Sequence, residues 1–236
     1  NPNNFGATGA PPTHPALLDF LADWFTKKNG SVKKLNALIL SSETYRRSSR
    51  HSNPDELFEK DPKGKLYATF RPRRLSAEEI RDAMLFASGE LNLIRGGIPA
   101  RPDLNREVAF QPRQIMGGVA SVYEPDPLPE QRNRRTIYVE KIRGLRDPFL
   151  ETFNQPGPDN SCEVRETSTV APQALTLMNA EEVQDRALAF AHRLLLGKKG
   201  KPENLVIEKA FQRALGRTAT QNEVEICLQR WQKAKA

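Results

Sequence analysis

The chain has 236 residues, enough for one large domain or two small ones. Hydrophobic residues make up 38% and charged residues 28%, and no run approaches the roughly 18 apolar residues of a transmembrane helix, so a membrane span is excluded. The net charge of +7 would suit nucleic-acid binding, but 36 basic and 29 acidic residues are mixed without interleaved aromatic residues. We therefore expect solvated surface charge and local anion contacts, and nucleic-acid binding ranks third among the functions considered.

The N-terminal segment has the pattern of two helices joined by a short turn. Thr13 and Pro15 are typical of a helix start, and the apolar residues that follow recur at helical spacing. Asn29-Gly30 stops this helix, because glycine readily adopts the left-handed conformation that follows a helix end, and Ser31 caps the next helix. We predict an antiparallel helix pair over 13–47.

Two more helix starts follow the pair. Asn53 precedes a proline and two acidic residues, which predicts a short helix. Ser76 and Glu79 have the spacing of a capping box, in which the side chain of each accepts a hydrogen bond from the backbone N–H of the other. The helix that starts there is predicted to end at Gly89.

The middle of the chain loses this periodicity. Glycine pairs and prolines interrupt the pattern throughout 92–135, which predicts a long irregular loop region. Val119 to Tyr123 and Thr136 to Ile142 are rich enough in β-branched and aromatic residues to predict two short strands, which could pair.

Helical patterns return at 172–236. We predict helices over Pro172–Met178, from a cap at Asn179 to a stop at Gly197, over Glu203–Leu215 before Gly216, and after a capping box at Thr220 and Glu223. The predicted fold is mainly α: one domain over 1–236, with antiparallel helix pairs at both ends. A small β element and long loops rich in proline, glycine and arginine lie between them.

Cys162 lies in a turn-rich stretch that leads into a helix. A cysteine nucleophile needs a base, and no spacing ties His14, His51 or His192 to it, so a small buried thiol within a structured turn is the alternative interpretation. Cys162 and Cys227 are expected as independent thiols, although a disulfide stays open. The sequence has no metal-ligand spacing and no haem-attachment motif, so no metal and no cofactor are expected in this chain.

The arginines offer a second possible site. An arginine guanidinium binds carboxylates, phosphates or sulfates through two parallel hydrogen bonds. The alternative is internal pairing with carboxylates such as Glu78, Asp82, Asp159 or Glu163. The candidate anion site comprises Arg74, Arg81, Asp82, Arg135, Asp159, Cys162 and Arg165.

Several segments together resemble a known family. They are His14 to Asp19, Ser31 to Leu35, Leu38 to Arg46, Arg73 to Met84, Ser88 to Leu91, Arg135 to Val139, Phe153 to Pro156, Ser161-Cys162 with Arg165, Pro172 to Leu175, and Ala210 to Arg217. In combination they resemble the C-terminal domain of unknown function of planctomycete-type, cytochrome-c-associated exported proteins. The resemblance implies that the start of that domain, an aromatic- and arginine-bearing segment before Asn3, is missing here. The first residue is Asn1 rather than methionine, so a fragment or processed product is expected.

The resemblance implies a periplasmic or cell-envelope setting, with upstream domains of the same polypeptide as partners and haem c only on an upstream domain. It supplies no activity and no catalytic residues, so whether the chain is an enzyme stays open. We expect a non-catalytic interaction or scaffold domain, with a polysaccharide or a redox protein as further partner. The alternative is binding or hydrolysis of an anionic, sulfated or carboxylated glycan through the arginines.

Overall fold

The computed structural model describes residues 4, 6–116, 118, 121–159, 161–196, 200 and 202–235. These residues are mainly helical and form no sheet, which confirms the predicted fold class. The chain divides into two compact units, Asn1–Arg74 and Leu75–Ala236. We therefore keep as a prediction that residues 1–236 form one domain. Within the described part of the chain, no helix is both long and apolar enough to cross a bilayer.

The first unit contains α1 (Pro15–Lys27), α2 (Val32–Ser41) and α3 (Pro54–Lys60). Two helices joined by a short turn are present, although α2 ends at Ser41, before the predicted end of the pair at 47. Asn29 and Gly30 in the turn have positive φ angles of 54° and 67°, and the Ser31 side chain caps α2 by accepting from the Lys34 N–H. Asn53 caps α3 in the same way, by accepting from the Glu56 N–H. The predicted cap at Thr13 is wrong, because His14 occupies the N-cap position and the Thr13 hydroxyl lies 3.0 Å from the His14 ring nitrogen Nδ1.

The second unit is built around α4 (Ala77–Ser88), which packs against elements from the rest of the unit. These are a 3-10 helix (Thr136–Tyr138), α7 (Pro148–Thr152), α9 (Glu181–Leu196) and α10 (Glu203–Leu215). The capping box of Ser76 and Glu79 is present. Gly89 follows α4 with φ +84°, a conformation that favours glycine, and its lack of a Cβ leaves room for the Arg193 guanidinium beside it.

The core of this unit lies between α4, α7 and α9. Its buried residues are Ala77, Phe149, Leu150 and Phe153, and its half-buried neighbours are Ile80, Met84 and Val183. The Phe149 and Phe153 rings pack at 5.0 Å between centroids. Helix α4 is therefore the element against which the surrounding segments are positioned.

The region 92–135, predicted to be irregular throughout, contains α5 (Arg106–Met116) and α6 (Pro129–Arg132). Pro112 lies inside α5 and, as a helix breaker, concealed it from sequence analysis. Tertiary contacts support the helix: Ala109 is buried, and its carbonyl accepts a hydrogen bond from the Tyr123 N–H at 3.0 Å.

The two predicted strands are not formed in the described residues. Val119 and Ala120 lie outside them, and 121–123 has no strand. Thr136–Tyr138 is a 3-10 helix, so the strand predicted over 136–142 is wrong. Among the residues that the structure describes, β structure is limited to isolated bridges, which include Asn92 with Arg134 and Ala100 with Val139.

The C-terminal helices are α8 (Ala171–Asn179), α9, α10 and α11 (Gln221–Lys235). The boundaries of α10 and the stop at Gly216, with φ +66°, are as predicted. The Thr220–Glu223 capping box is also confirmed, by a pair of reciprocal hydrogen bonds. Asn179 ends α8 and donates back to the Leu175 carbonyl, so its predicted role as the cap of α9 is wrong. The stop predicted at Gly197 lies outside the described residues.

Candidate functional site

One face of α4 carries three charged residues, Glu78, Arg81 and Asp82, that the helical repeat of 3.6 places next to one another. Each of them contacts a different segment of the second unit. These contacts define the arrangement of the candidate site.

Arg81 is buried, with a side chain only 4% exposed. Its guanidinium donates to the carbonyls of Arg132 and Arg134, both at 3.0 Å, and to the Thr136 hydroxyl at 3.2 Å. Its Nε lies 3.6 Å from a carboxylate oxygen of Glu182 on α9. Arg81 therefore joins α4 to the 132–136 segment and to α9.

A second carboxylate lies near this arginine. Asp147 caps α7 by accepting from the N–H groups of Phe149 and Leu150, and burial raises its pKa against the effect of those bonds and of Arg81. Burial, together with the charge of Asp147, also raises the pKa of Glu182, from its usual 4.5 to about 7. Arg81 and Arg186 oppose this shift, and Asp103 adds to it.

Replacing Glu182 with glutamine is expected to weaken the pH dependence of stability. Folded Glu182 keeps its proton between pH 4.5 and about 7, where the unfolded chain has lost it, so the folding free energy that it contributes falls as pH rises through this window. The side chain is 33% exposed, so solvent screens part of this effect. We expect the free energy of unfolding of the variant to exceed that of the parent protein by about 1 kcal/mol at pH 8, and the two to be almost equal at pH 4.

Urea unfolding of both proteins at several pH values measures this effect. Glu181→Gln, an exposed neighbour on the same helix, is the matched control and should leave the pH dependence unchanged. A Glu182→Gln variant with the same pH dependence as the parent protein would contradict the expected proton uptake.

Asp82 holds the start of the 3-10 helix. One of its carboxylate oxygens accepts from the Thr136 N–H at 2.8 Å and from the Thr136 hydroxyl at 2.6 Å. The other lies 3.5 Å from Nε of Arg135, whose side chain is 55% exposed. A carboxylate that binds three donors in this way is a structural acceptor and is poorly placed to abstract a proton.

Arg165 binds Glu78 through two parallel hydrogen bonds, at 2.5 and 3.0 Å. Burial disfavours the ionised Glu78, but the bonds from Arg165 and from the Gln155 amide outweigh it and lower the pKa of Glu78 from its usual 4.5 to about 2. This pair fastens the 161–170 segment to the first turn of α4.

The same segment borders an open cleft of about 440 Å³. Arg146, Cys162 and Arg165 contribute to its lining, and Arg146 pairs with Glu151 and donates to the Gln155 carbonyl. The Cys162 thiol is exposed, so the alternative of a buried thiol is wrong, and its sulfur lies 3.4 Å from the Val164 carbonyl oxygen. Both cysteines are free thiols, as expected.

Gln173 closes the turn behind this cleft and was not predicted as a site residue. It is 2% exposed, and its amide nitrogen lies within 3.2 Å of the Thr152 carbonyl, the Asn154 side chain and the Ser168 hydroxyl. Its side-chain oxygen accepts from the Val170 N–H. The turn is thus held by a buried amide, which the pattern Pro172-Gln173 alone could not show.

The structure brings only some of the seven predicted residues together. Arg81, Asp82 and Arg135 meet at α4 and the 3-10 helix, whereas Cys162 and Arg165 line the cleft. Asp159 is exposed, and Arg74 belongs to the first unit. The described residues contain no group of histidine, cysteine and acidic side chains suited to a metal ion.

The family model described as PSD1, protein of unknown function (DUF1553), matches residues 1–231 of the chain. No curated protein matches the chain significantly, and neither does any solved structure.

Proposed function

We propose a function for this chain from the premise that it belongs to the PSD1 family, whose function is unknown (DUF1553). The chain is a non-catalytic interaction or scaffold domain. The predicted membership of a family of unknown function is confirmed, whereas its association with haem c stays a prediction. The proposed setting is a large exported protein of the periplasm or cell envelope, with haem c on an upstream domain and the upstream domains as partners.

The observation that carries this proposal is the use of arginine as an internal connector. Arg81, Arg135 and Arg165 each pair with a carboxylate, and other arginines donate to backbone carbonyls of irregular segments. Arg134 binds the Ile98 carbonyl at 2.6 Å, and Arg132 binds the Asp126 carbonyl at 2.8 Å. Side chains engaged in this way hold loops in shape, because buried carbonyls in irregular structure need donors.

A second candidate, binding of a sulfated or carboxylated glycan, is favoured by one observation. The open cleft beside Cys162 has Arg146 and Arg165 in its lining. A ligand would have to displace Glu78 from Arg165 and Glu151 from Arg146, and the two bonds of the Glu78 pair make that displacement costly.

Limited proteolysis of the full-length protein followed by gel filtration tests the scaffold proposal. We expect this chain, once released, to co-elute with the upstream domains at physiological salt, because a scaffold retains its partners without a covalent link. Elution of the chain alone would contradict the proposal. Catalytic turnover of a substrate by the chain would also contradict it. Tight binding of chondroitin sulfate or polygalacturonate that Arg165→Ala abolishes would contradict it as well and would favour the glycan function.

A further inference from the structure

The hairpin of α1 and α2 exposes an apolar surface. Neither helix contains a buried residue, although α2 is rich in leucine and α1 contains both leucines and aromatic side chains. Leu21, Trp24, Leu35 and Leu38 are half-buried. The large apolar side chains that stay exposed are Leu17, Leu18 and Phe20 on α1 and Val32, Ile39 and Leu40 on α2.

This exposure is large for so short an element. Leu18 is 55% exposed, Phe20 54% and Val32 61%. Single exposed apolar side chains are ordinary on protein surfaces, but here several share one side of a helix. The helical repeat places Leu17 and Leu18 on one side of α1 and Val32 and Ile39 on one side of α2, an arrangement typical of an interaction site.

The charges of the hairpin are arranged asymmetrically. Four of the eight residues 27–34, at the turn between the helices, are lysines: Lys27, Lys28, Lys33 and Lys34. Lys27 pairs with Asp23 at 2.7 Å, and the Lys28 ammonium lies 5.9 Å from the centre of the Trp24 ring. Lys33 and Lys34 are exposed. The apolar surface therefore ends at a basic tip.

We propose that this hairpin binds an acidic amphipathic helix of a partner polypeptide. The leucines of that helix pack on Leu17 and Leu18 of α1 and on Val32 and Ile39 of α2, and its carboxylates face the lysines of the tip. The inference rests on the proposed role as an interaction domain and names the surface and the chemistry of the partner.

A helix fits this surface better than the other occupants. Two antiparallel helices leave a groove between them that accepts a third helix through residues spaced by three and four. An anionic lipid surface would also attract the lysines, but Asp19 and Asp23 on α1 would meet the same negative surface. A polypeptide can place its carboxylates at the lysine end alone.

The test uses synthetic peptides as probes of the 236-residue chain. An acidic peptide of about 18 residues carries leucine at helical spacing, glutamates grouped at one end and glutamine at the remaining positions. A second peptide has lysine in place of glutamate, and a third has the composition of the first with scrambled leucine positions. Fluorescence anisotropy at low and high salt measures their binding.

We expect the acidic peptide to bind at least about tenfold more tightly than either control peptide, and more tightly at low salt. The double variants Leu18→Asn with Val32→Asn and Lys33→Glu with Lys34→Glu should each weaken binding about tenfold. The matched control variants are Leu188→Asn, at a leucine 72% exposed on α9, and Lys209→Glu on α10, and neither should change binding.

Circular dichroism verifies that each variant is folded, so that lost binding reports the surface. Equal binding of all three peptides overturns the inference, as does binding that both double variants leave intact. Stronger binding to vesicles of equimolar phosphatidylserine and phosphatidylcholine than to the acidic peptide also overturns it, in favour of a lipid surface.

The co-elution experiment on the full-length protein separates this inference from the proposed function. Co-elution that persists in both double variants, with no peptide binding, removes the hairpin as the docking surface and leaves the scaffold role intact. If the unaltered chain, once released, does not co-elute with the upstream domains, the scaffold role itself is contradicted.

Discussion

Arg81→Met is expected to destabilise the second unit by about 3–5 kcal/mol. Arg81 donates to the carbonyls of Arg132 and Arg134 and to the Thr136 hydroxyl from a side chain only 4% exposed. Methionine fills similar space but donates nothing, so these acceptors lose their partner and Glu182 loses its counter-charge. Urea unfolding followed by circular dichroism measures the loss.

Hydrogen exchange locates the effect of this substitution. We expect faster exchange of the α4 amides and of the 132–139 segment, because Arg81 joins the two. Arg135→Met is the matched control: its side chain is 55% exposed and 3.5 Å from Asp82, so it should cost less than about 1 kcal/mol. Equal losses from the two variants would show that Arg81 is not the connector we infer.

Phe149→Ala is expected to cost about 3–5 kcal/mol, the usual range for a buried phenylalanine. Phe149 is 5% exposed and belongs to the core cluster with Leu150 and Phe153. The substitution removes the ring contact with Phe153, at 5.0 Å between centroids, and leaves a cavity beside α4.

Thermal and urea unfolding measure this loss, again with hydrogen exchange to assign it to the second unit. The matched control is Phe86→Ala on α4, because Phe86 is 63% exposed and should change stability by less than about 0.5 kcal/mol. If Phe149→Ala left exchange in α4 and α7 unchanged, the core would lie elsewhere.

The strongest sequence-based predictions rest on local chemistry. Ser31, Asn53 and Ser76 cap their helices as expected, and Gly89 and Gly216 have the left-handed conformation that follows a helix end. A cap depends on a side chain and on backbone groups two or three residues away, so the sequence contains all the information it needs.

Apart from the local caps at Thr13 and Asn179, the predictions that failed depended on partners distant in sequence. Residues 136–142 have a strand-like composition, but Asp82, more than fifty residues earlier, binds both the N–H and the hydroxyl of Thr136, and a 3-10 helix forms instead. Helix α5 contains Pro112, and contact between Ala109 and the Tyr123 backbone accompanies it. Tertiary context overrides local propensity in both cases.

The sequence pattern of α4 partly predicts the role of Arg81. The buried residues of α4 are Ala77, Arg81, Leu85 and Ser88, which recur at intervals of four, four and three. An arginine at this position in the buried stripe of an amphipathic helix must find internal acceptors, because a guanidinium stays charged when buried. The pattern could predict that Arg81 is an internal connector, but not that its acceptors are the carbonyls of Arg132 and Arg134.

The sequence by itself determined the helical class, most helix boundaries, the hairpin with its basic tip and the family resemblance. These follow from periodicity, capping and composition, which act over a few residues. Only the tertiary structure decided what the arginines do, because a guanidinium is equally suited to an external anion, an internal carboxylate or a carbonyl. In the second unit the folded chain brings Glu78 to Arg165 and Glu182 to Arg81, and that proximity pairs these arginines with carboxylates of the same chain.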